Sequence, residues 1–128
     1  MNMELNDIQR NYIQNRLRQL SHSKFRSSFH LRKYMISYIQ EKGWETIESH
    51  CQDFIEKKLA PYPTFHDGHQ TPMKGHPVFI AQHATATCCR VCLEKWHHIP
   101  RNRVLMEREI CFIKALILSW LEYELQNY

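Results

Sequence analysis

Glycine is scarce in this chain of 128 residues, which holds three in all. So few leave no room for a Gly-rich phosphate loop, or for an architecture of many tight β-turns. No apolar run approaches the roughly 18–20 residues that cross a bilayer. The opening Met1-Asn2-Met3-Glu4-Leu5-Asn6-Asp7 lacks both the basic start and the apolar stretch of a secretory signal. These absences predict a cytoplasmic protein with no membrane partner. No internal repeat, low-complexity tract or linker divides the sequence, and its length suits one domain. No Ser/His/Asp pattern is readable either.

What is present is unevenly placed. Residues 1–33 carry seven basic residues against two acidic ones, whereas residues 34–128 carry ten against eleven, so the excess positive charge lies in the first quarter. Such asymmetry predicts contact with a polyanion. In a nucleic-acid-binding protein Arg16, Arg18, Lys24, Arg26, Arg32 and Lys33 would neutralise phosphates, with Phe25 and Phe29 placed to stack on bases. A solvated helix face explains the same charges.

Apolar residues recur mostly at helical spacing. Leu5, Ile8, Tyr12, Ile13, Leu17 and Leu20 predict a basic amphipathic helix within residues 1–20. Leu31 to Ile39 form a second helix that Gly43 ends in left-handed conformation. Ile47, Cys51, Phe54, Ile55 and Leu59 mark a third, stopped by Pro61. The stretch 61–76 holds Pro61, Pro63, Gly68, Pro72 and Gly75 and reads as a long loop. Tyr62 and Phe65 would anchor it, and His66, Asp67, His69, Gln70 and His76 would supply polar contacts. Pro77 opens a fourth helix running past Trp96. The last, within 104–126, is apolar almost all round from Ile110 to Leu121, which predicts a central core element or a contact with a second copy of the chain. The expected fold is all-α: a single compact domain of about five helices, with a long ordered loop before the fourth.

Five cysteines are present, Cys51, Cys88, Cys89, Cys92 and Cys111. Cys51 and Cys111 lie on apolar stripes and are expected to be packed, as are Trp96 and Trp120. The chemistry concentrates in residues 77–98, where Cys89 and Cys92 have the C-x-x-C spacing that lets two thiolates share one ion. With an export signal lacking, metal binding, thiol reactivity or burial explains the cluster better than a disulfide framework. His83 and His97 complete the candidate zinc ligand set, with Cys88 and His76 in reserve.

Helix geometry tests this set. At about 100° per residue, with His83 as origin, Cys88, Cys92 and Cys89 fall near about 140°, 180° and 240°, and His97 near about 320°. One continuous helix therefore turns the thiols away from both imidazoles. A break at Thr85-Ala86-Thr87 removes the conflict, with Thr87 capping a second helix and Cys88 and Cys89 in its first turn. The helix dipole there favours thiolate, for a metal or for a nucleophile. Otherwise the cysteines pack inward as small hydrophobes.

The unbroken run from Asp67-Gly68-His69 to Thr87-Cys88-Cys89-Arg90, followed by Lys95-Trp96-His97, resembles an uncharacterised bacterial family, domain of unknown function 4186. Ser23-Lys24-Phe25-Arg26 and Phe29-His30-Leu31 resemble its N-terminal motif. The likeness covers about residues 21–121 and implies no activity. This chain departs from the family pattern at Met106, where a capping Thr is expected. That leaves Glu109 without the partner of a capping box. His69 and His98 depart as well and are left out of the ligand set.

Three functions follow from the residues. The first is a metal-binding domain, structural with four protein ligands, or hydrolytic if water fills an open position and Asp67 acts as general base. The second is nucleic-acid binding. The third is a thiol enzyme using Cys88 or Cys89, assisted by His83.

Overall fold

Asn6 starts the first helix by accepting a hydrogen bond from the Gln9 backbone N–H at 2.8 Å, while the Gln9 side chain returns one from the Asn6 N–H. Helix α1 (Asp7–Ser21) follows. The structure is a computed structural model and describes residues 5–64 and 67–128. Phe65 and His66, expected to anchor the long loop and to make polar contacts, lie outside the described residues, as do residues 1–4 of the N-terminal segment. Beyond a 3-10 turn at Arg26–Ser28, the chain forms α2 (Lys33–Lys42) and α3 (Trp44–Phe54). Gly43 lies between these two at φ +86°, a conformation that suits glycine.

Helix α3 runs into a π-helical turn, Ile55–Leu59, closed by an Ala60 N–H to Ile55 carbonyl bond of 2.9 Å. The carbonyls freed at this end are taken from elsewhere in the chain. Arg90 donates to the Leu59 oxygen, and the Leu105 N–H donates to the Ala60 oxygen. Helices α4 (Pro77–Ala84), α5 (Arg90–His97) and α6 (Glu107–Gln126) complete an all-α domain, with no strand among the described residues. The sequence predicts about five helices and the described residues form six α-helices, because the fourth divides.

The core explains why α6 is apolar all round. One side, with Ile113, Ile117 and Leu121, meets Ile47 and Cys51 of α3, Ile55 of the π-helical turn, and Val78 and Ala81 of α4. The opposite side offers Ala115 and Leu116 to Ile13 of α1. Each fully buried Leu or Ile contributes about 1.5–3 kcal/mol, so α6 is the central element. The apolarity that suggested a second copy is used within the chain. The α1 stripe is narrower than its periodicity suggested, since Ile8 is exposed. Cys111 also corrects the expectation of packing, because it lies on the exposed face of α6. No helix is long and apolar enough to cross a membrane among the described residues.

The long loop is tied down by polar contacts rather than by Tyr62, which is half exposed. Buried Thr71 donates to the Cys88 carbonyl at 2.6 Å, and His83 Nε2 lies 2.9 Å from the Pro72 carbonyl. His76 ends the loop by capping α4, its Nδ1 accepting from the Val78 N–H at 3.0 Å.

Candidate metal centre

Of the two alternatives left by the sequence, the chain takes the break near Thr85–Thr87. The Thr85 hydroxyl donates back to the Ala81 carbonyl at 2.8 Å, and Ala86 takes a left-handed conformation at φ +57°. The Thr87 N–H then reaches the Gln82 carbonyl at 2.8 Å, closing the six-residue ring that terminates many helices. Glycine normally fills such a position, which helps to hide the stop in the sequence. The next helix starts later than Thr87, correcting that expectation. Cys89 is the N-cap of α5, its sulfur accepting from the Cys92 N–H at 3.4 Å.

This turn gathers the sulfurs. Cys88, Cys89 and Cys92 place their Sγ atoms all within 4.8 Å of one another. Cys88 and Cys92 are 3.6 Å apart. With Zn–S bonds of about 2.3 Å, two sulfurs on a tetrahedral ion lie about 3.8 Å apart. Cys88 and Cys89 are buried, whereas Cys92 keeps partial access to solvent.

A guanidinium lies against the cluster. Arg26, buried in the 3-10 turn, donates to Cys92 Sγ at 3.2 Å, to Cys88 Sγ at 3.7 Å and to the His83 carbonyl at 2.7 Å. The rings of Phe25 and Trp96 lie 5.0 and 5.9 Å from its charge. Burial pulls the Arg26 pKa down, but the bonds to Cys92 and Cys88 outweigh it and leave it raised. The bonds from the Cys88 and Cys89 thiols, then from Arg26, hold Cys92 far below the ordinary thiol range. Cys88 is pushed up by its bonds to Cys89 and Cys92 and by burial. For Cys89 the bond to Cys88 acts downward, but the bond to Cys92 and burial prevail and raise it. These directions favour the thiolate at Cys92, which lies closer to the Arg26 guanidinium than Cys88 does.

The model of the family described as domain of unknown function (DUF4186) matches residues 14–122. The chain belongs to this family. No solved structure matches it.

In this DUF4186 chain the imidazoles proposed as ligands point elsewhere. No His belongs to the group of mutually close donor atoms among the described residues. His83 holds the Pro72 carbonyl and stacks on Phe29 at 5.6 Å. His97 Nε2 lies 2.9 Å from the Thr85 carbonyl, and its Nδ1 lies 3.2 Å from the Arg16 guanidinium. Both ring nitrogens are therefore engaged. His76 caps α4 through Nδ1, and its Nε2 faces His50 at 2.9 Å. Asp67 is exposed and faces Arg101 at 3.4 Å, outside the sulfur group.

The basic set divides as well. Arg18, Lys24, Arg32 and Lys33 are exposed. Arg16 turns inward to the Trp96 carbonyl, and Arg26 is committed to the sulfurs. Phe29 is partly buried, leaving Phe25 as the exposed ring. Trp96 corrects the core expectation by standing half-buried beside Arg26, whereas Trp120 packs against the core.

Sequence reasoning missed Arg26 because a buried arginine and a surface one read alike in a basic segment. It missed Arg90 for another reason, since nothing local marks the carbonyls that it binds. Arg90 is fully buried and donates to the carbonyls of Leu59, Pro100 and Arg103 at 3.0, 2.6 and 2.8 Å. It fixes the first residue of α5 directly beside Cys89.

Proposed function

We propose that this domain binds a soft metal ion, zinc in the first instance, through the thiolates of Cys88, Cys89 and Cys92. The observation that carries the reading is three sulfurs within 4.8 Å of one another with a buried guanidinium bonded to two of them. Soft thiolate donors select zinc and copper(I) over hard cations. Arg26 would serve as the outer partner that orients and stabilises the ligands. A divalent ion replacing the two remaining thiol protons leaves the net charge of the cluster unchanged, so Arg26 suits both states. With three protein donors the fourth position would be open to water or an external ligand, which supports a reactive centre.

The experiment is metal analysis of untagged protein purified under reducing conditions, followed by cobalt(II) substitution. The expected result is one ion per chain, a thiolate-to-cobalt charge-transfer band lost in Cys92→Ser, and release of about two protons per ion. Absence of stoichiometric metal under these conditions would remove the reading. A second reading, a reactive thiol at Cys92, is supported by its partial exposure beside Arg26. It requires metal-free protein to alkylate at Cys92 well below pH 8, with Arg26→Met abolishing that reactivity.

A further inference from the structure

A second candidate site lies apart from the sulfurs. Between α1, the 3-10 turn, the start of α3 and the second half of α6 the fold leaves a cleft of about 970 Å³. Sites for small organic ligands fall at about 300–1,000 Å³. Leu17, Phe29, Trp44 and Trp120 give it apolar and aromatic walls. Glu48 stands among them, one helical turn beyond Trp44 on α3.

Glu48 is 6% exposed, and its carboxylate has no hydrogen bond or ion pair to any described residue. Nor are its oxygens among the polar atoms sealed away without a partner, so what they contact is the space of the cleft. A carboxylate that deep is normally paired. Four other charged side chains along the cleft have partners of their own. Arg26 is bonded to the sulfurs, Arg10 to the Leu5 carbonyl and Arg18 to Asn15. The Glu124 carboxylate accepts from the Leu31 N–H at 2.9 Å and lies 3.3 Å from His30. Lys114 is near enough to oppose Glu48 at Cys51, but it neither lines the cleft nor forms an ion pair with Glu48. The uncommitted charges that the described residues present to the cleft, buried Glu48 and exposed Glu122, are both negative, and Glu48 lies among aromatic rings whose faces also attract cations.

From the unpartnered Glu48 carboxylate beside Trp44 in this cleft, we infer that the domain binds a small organic cation there, a primary amine carrying an aromatic-sized apolar body. The ammonium pairs with Glu48, and the apolar body lies between the tryptophan rings and Leu17. The inference does not rest on the metal reading: none of the three cysteines lines this cleft, although Arg26 borders both sites.

The test titrates the full chain with phenethylamine, 2-phenylethanol and phenylacetate, followed by calorimetry and by NMR of the indole N–H signals. The amine should bind at least tenfold more tightly than the alcohol, and phenylacetate should not bind. Glu48→Gln should weaken the amine at least tenfold and leave the alcohol unchanged. In the unsubstituted chain the amine should shift the Trp44 and Trp120 signals. Equal affinity for amine and alcohol, no binding of the amine at millimolar concentration, or shifts confined to Trp96 would overturn the assignment. The NMR arm keeps the test decisive even if Glu48→Gln does not fold.

Discussion

The Arg26 guanidinium donates a hydrogen bond to the sulfur of Cys92 at 3.2 Å, joining residues 66 positions apart through a contact to which neither sequence neighbourhood points. In the proposed metal centre Arg26 would supply a fixed positive charge beside the thiolates. Arg26→Met should therefore weaken zinc or cobalt binding by about 10–100-fold. Arg26→Lys keeps the charge but not the fork that reaches two sulfurs and the His83 carbonyl, so it should restore only part of the affinity. Chelator competition measures both, and affinities equal to that of the unsubstituted chain would contradict this role.

The five thiols should separate into three classes. Cys111 is exposed and should react with an alkylating reagent in native protein whether or not metal is present. Cys51 is fully buried, and burial pushes its thiol up to about 12, with Glu48 adding to the shift and Lys114 opposing it. It should react only on unfolding. The remaining three should become protected together when metal is added. Mass spectrometry after timed labelling reads the order, and protection of fewer than three would break the ligand set.

Arg90 predicts a stability effect unrelated to metal. Its guanidinium satisfies carbonyls from the end of α3 and from the segment between α5 and α6. Arg90→Met keeps the buried stem but leaves those three acceptors without a donor. At about 1–3 kcal/mol for each orphaned group, the loss is at least about 3 kcal/mol. Urea unfolding of the metal-free chain measures it, and a loss below about 1 kcal/mol would show that water replaces the guanidinium.

Acid should weaken the fold through two histidines. Burial, with the nearby charges of Arg16, Arg26 and His98, outweighs the bond to the Thr85 carbonyl and lowers His97 to about 4. Burial and then His50 lower His76 to about 4. Both rings stay neutral in the folded state while the unfolded chain takes up protons near about pH 6.5. The unfolded state therefore binds more protons between about pH 6.5 and 4, and stability falls as pH drops through that window, then levels off below it. Protonating His76 also removes the acceptor that caps α4. Urea midpoints at pH 7 and pH 4.5 measure the fall, and His97→Gln should remove the part that does not come from His76.

Helices with a one-sided stripe were legible from their periodicity, and so was the all-α fold. The stop before Thr87 was legible as a weak point, because two threonines interrupt an otherwise helical run. Its exact form was not, because Ala86 adopts the left-handed turn without glycine. The sequence brought the cysteines into view through their spacing, yet spacing carries no direction for an imidazole. His83 and His97 are near in sequence and are turned to the Pro72 and Thr85 carbonyls. Met106 shows a similar limit. It supplies no side-chain cap, but Glu109 still accepts from the Met106 N–H at 2.8 Å and takes a two-pronged bond from Arg103. A local pattern reports the missing threonine but not the arginine.

Ala81 through Arg90 are all buried, ten residues in succession that cross the end of one helix and the start of the next. A segment so enclosed has no slack to absorb a change in length. A single inserted residue between Ala84 and Arg90 would rotate the sulfurs out of register and withdraw the Arg90 side chain from its carbonyls in one step. Tags, linkers and loop grafts therefore belong outside it, and the Cys/His segment is best treated as fixed in length.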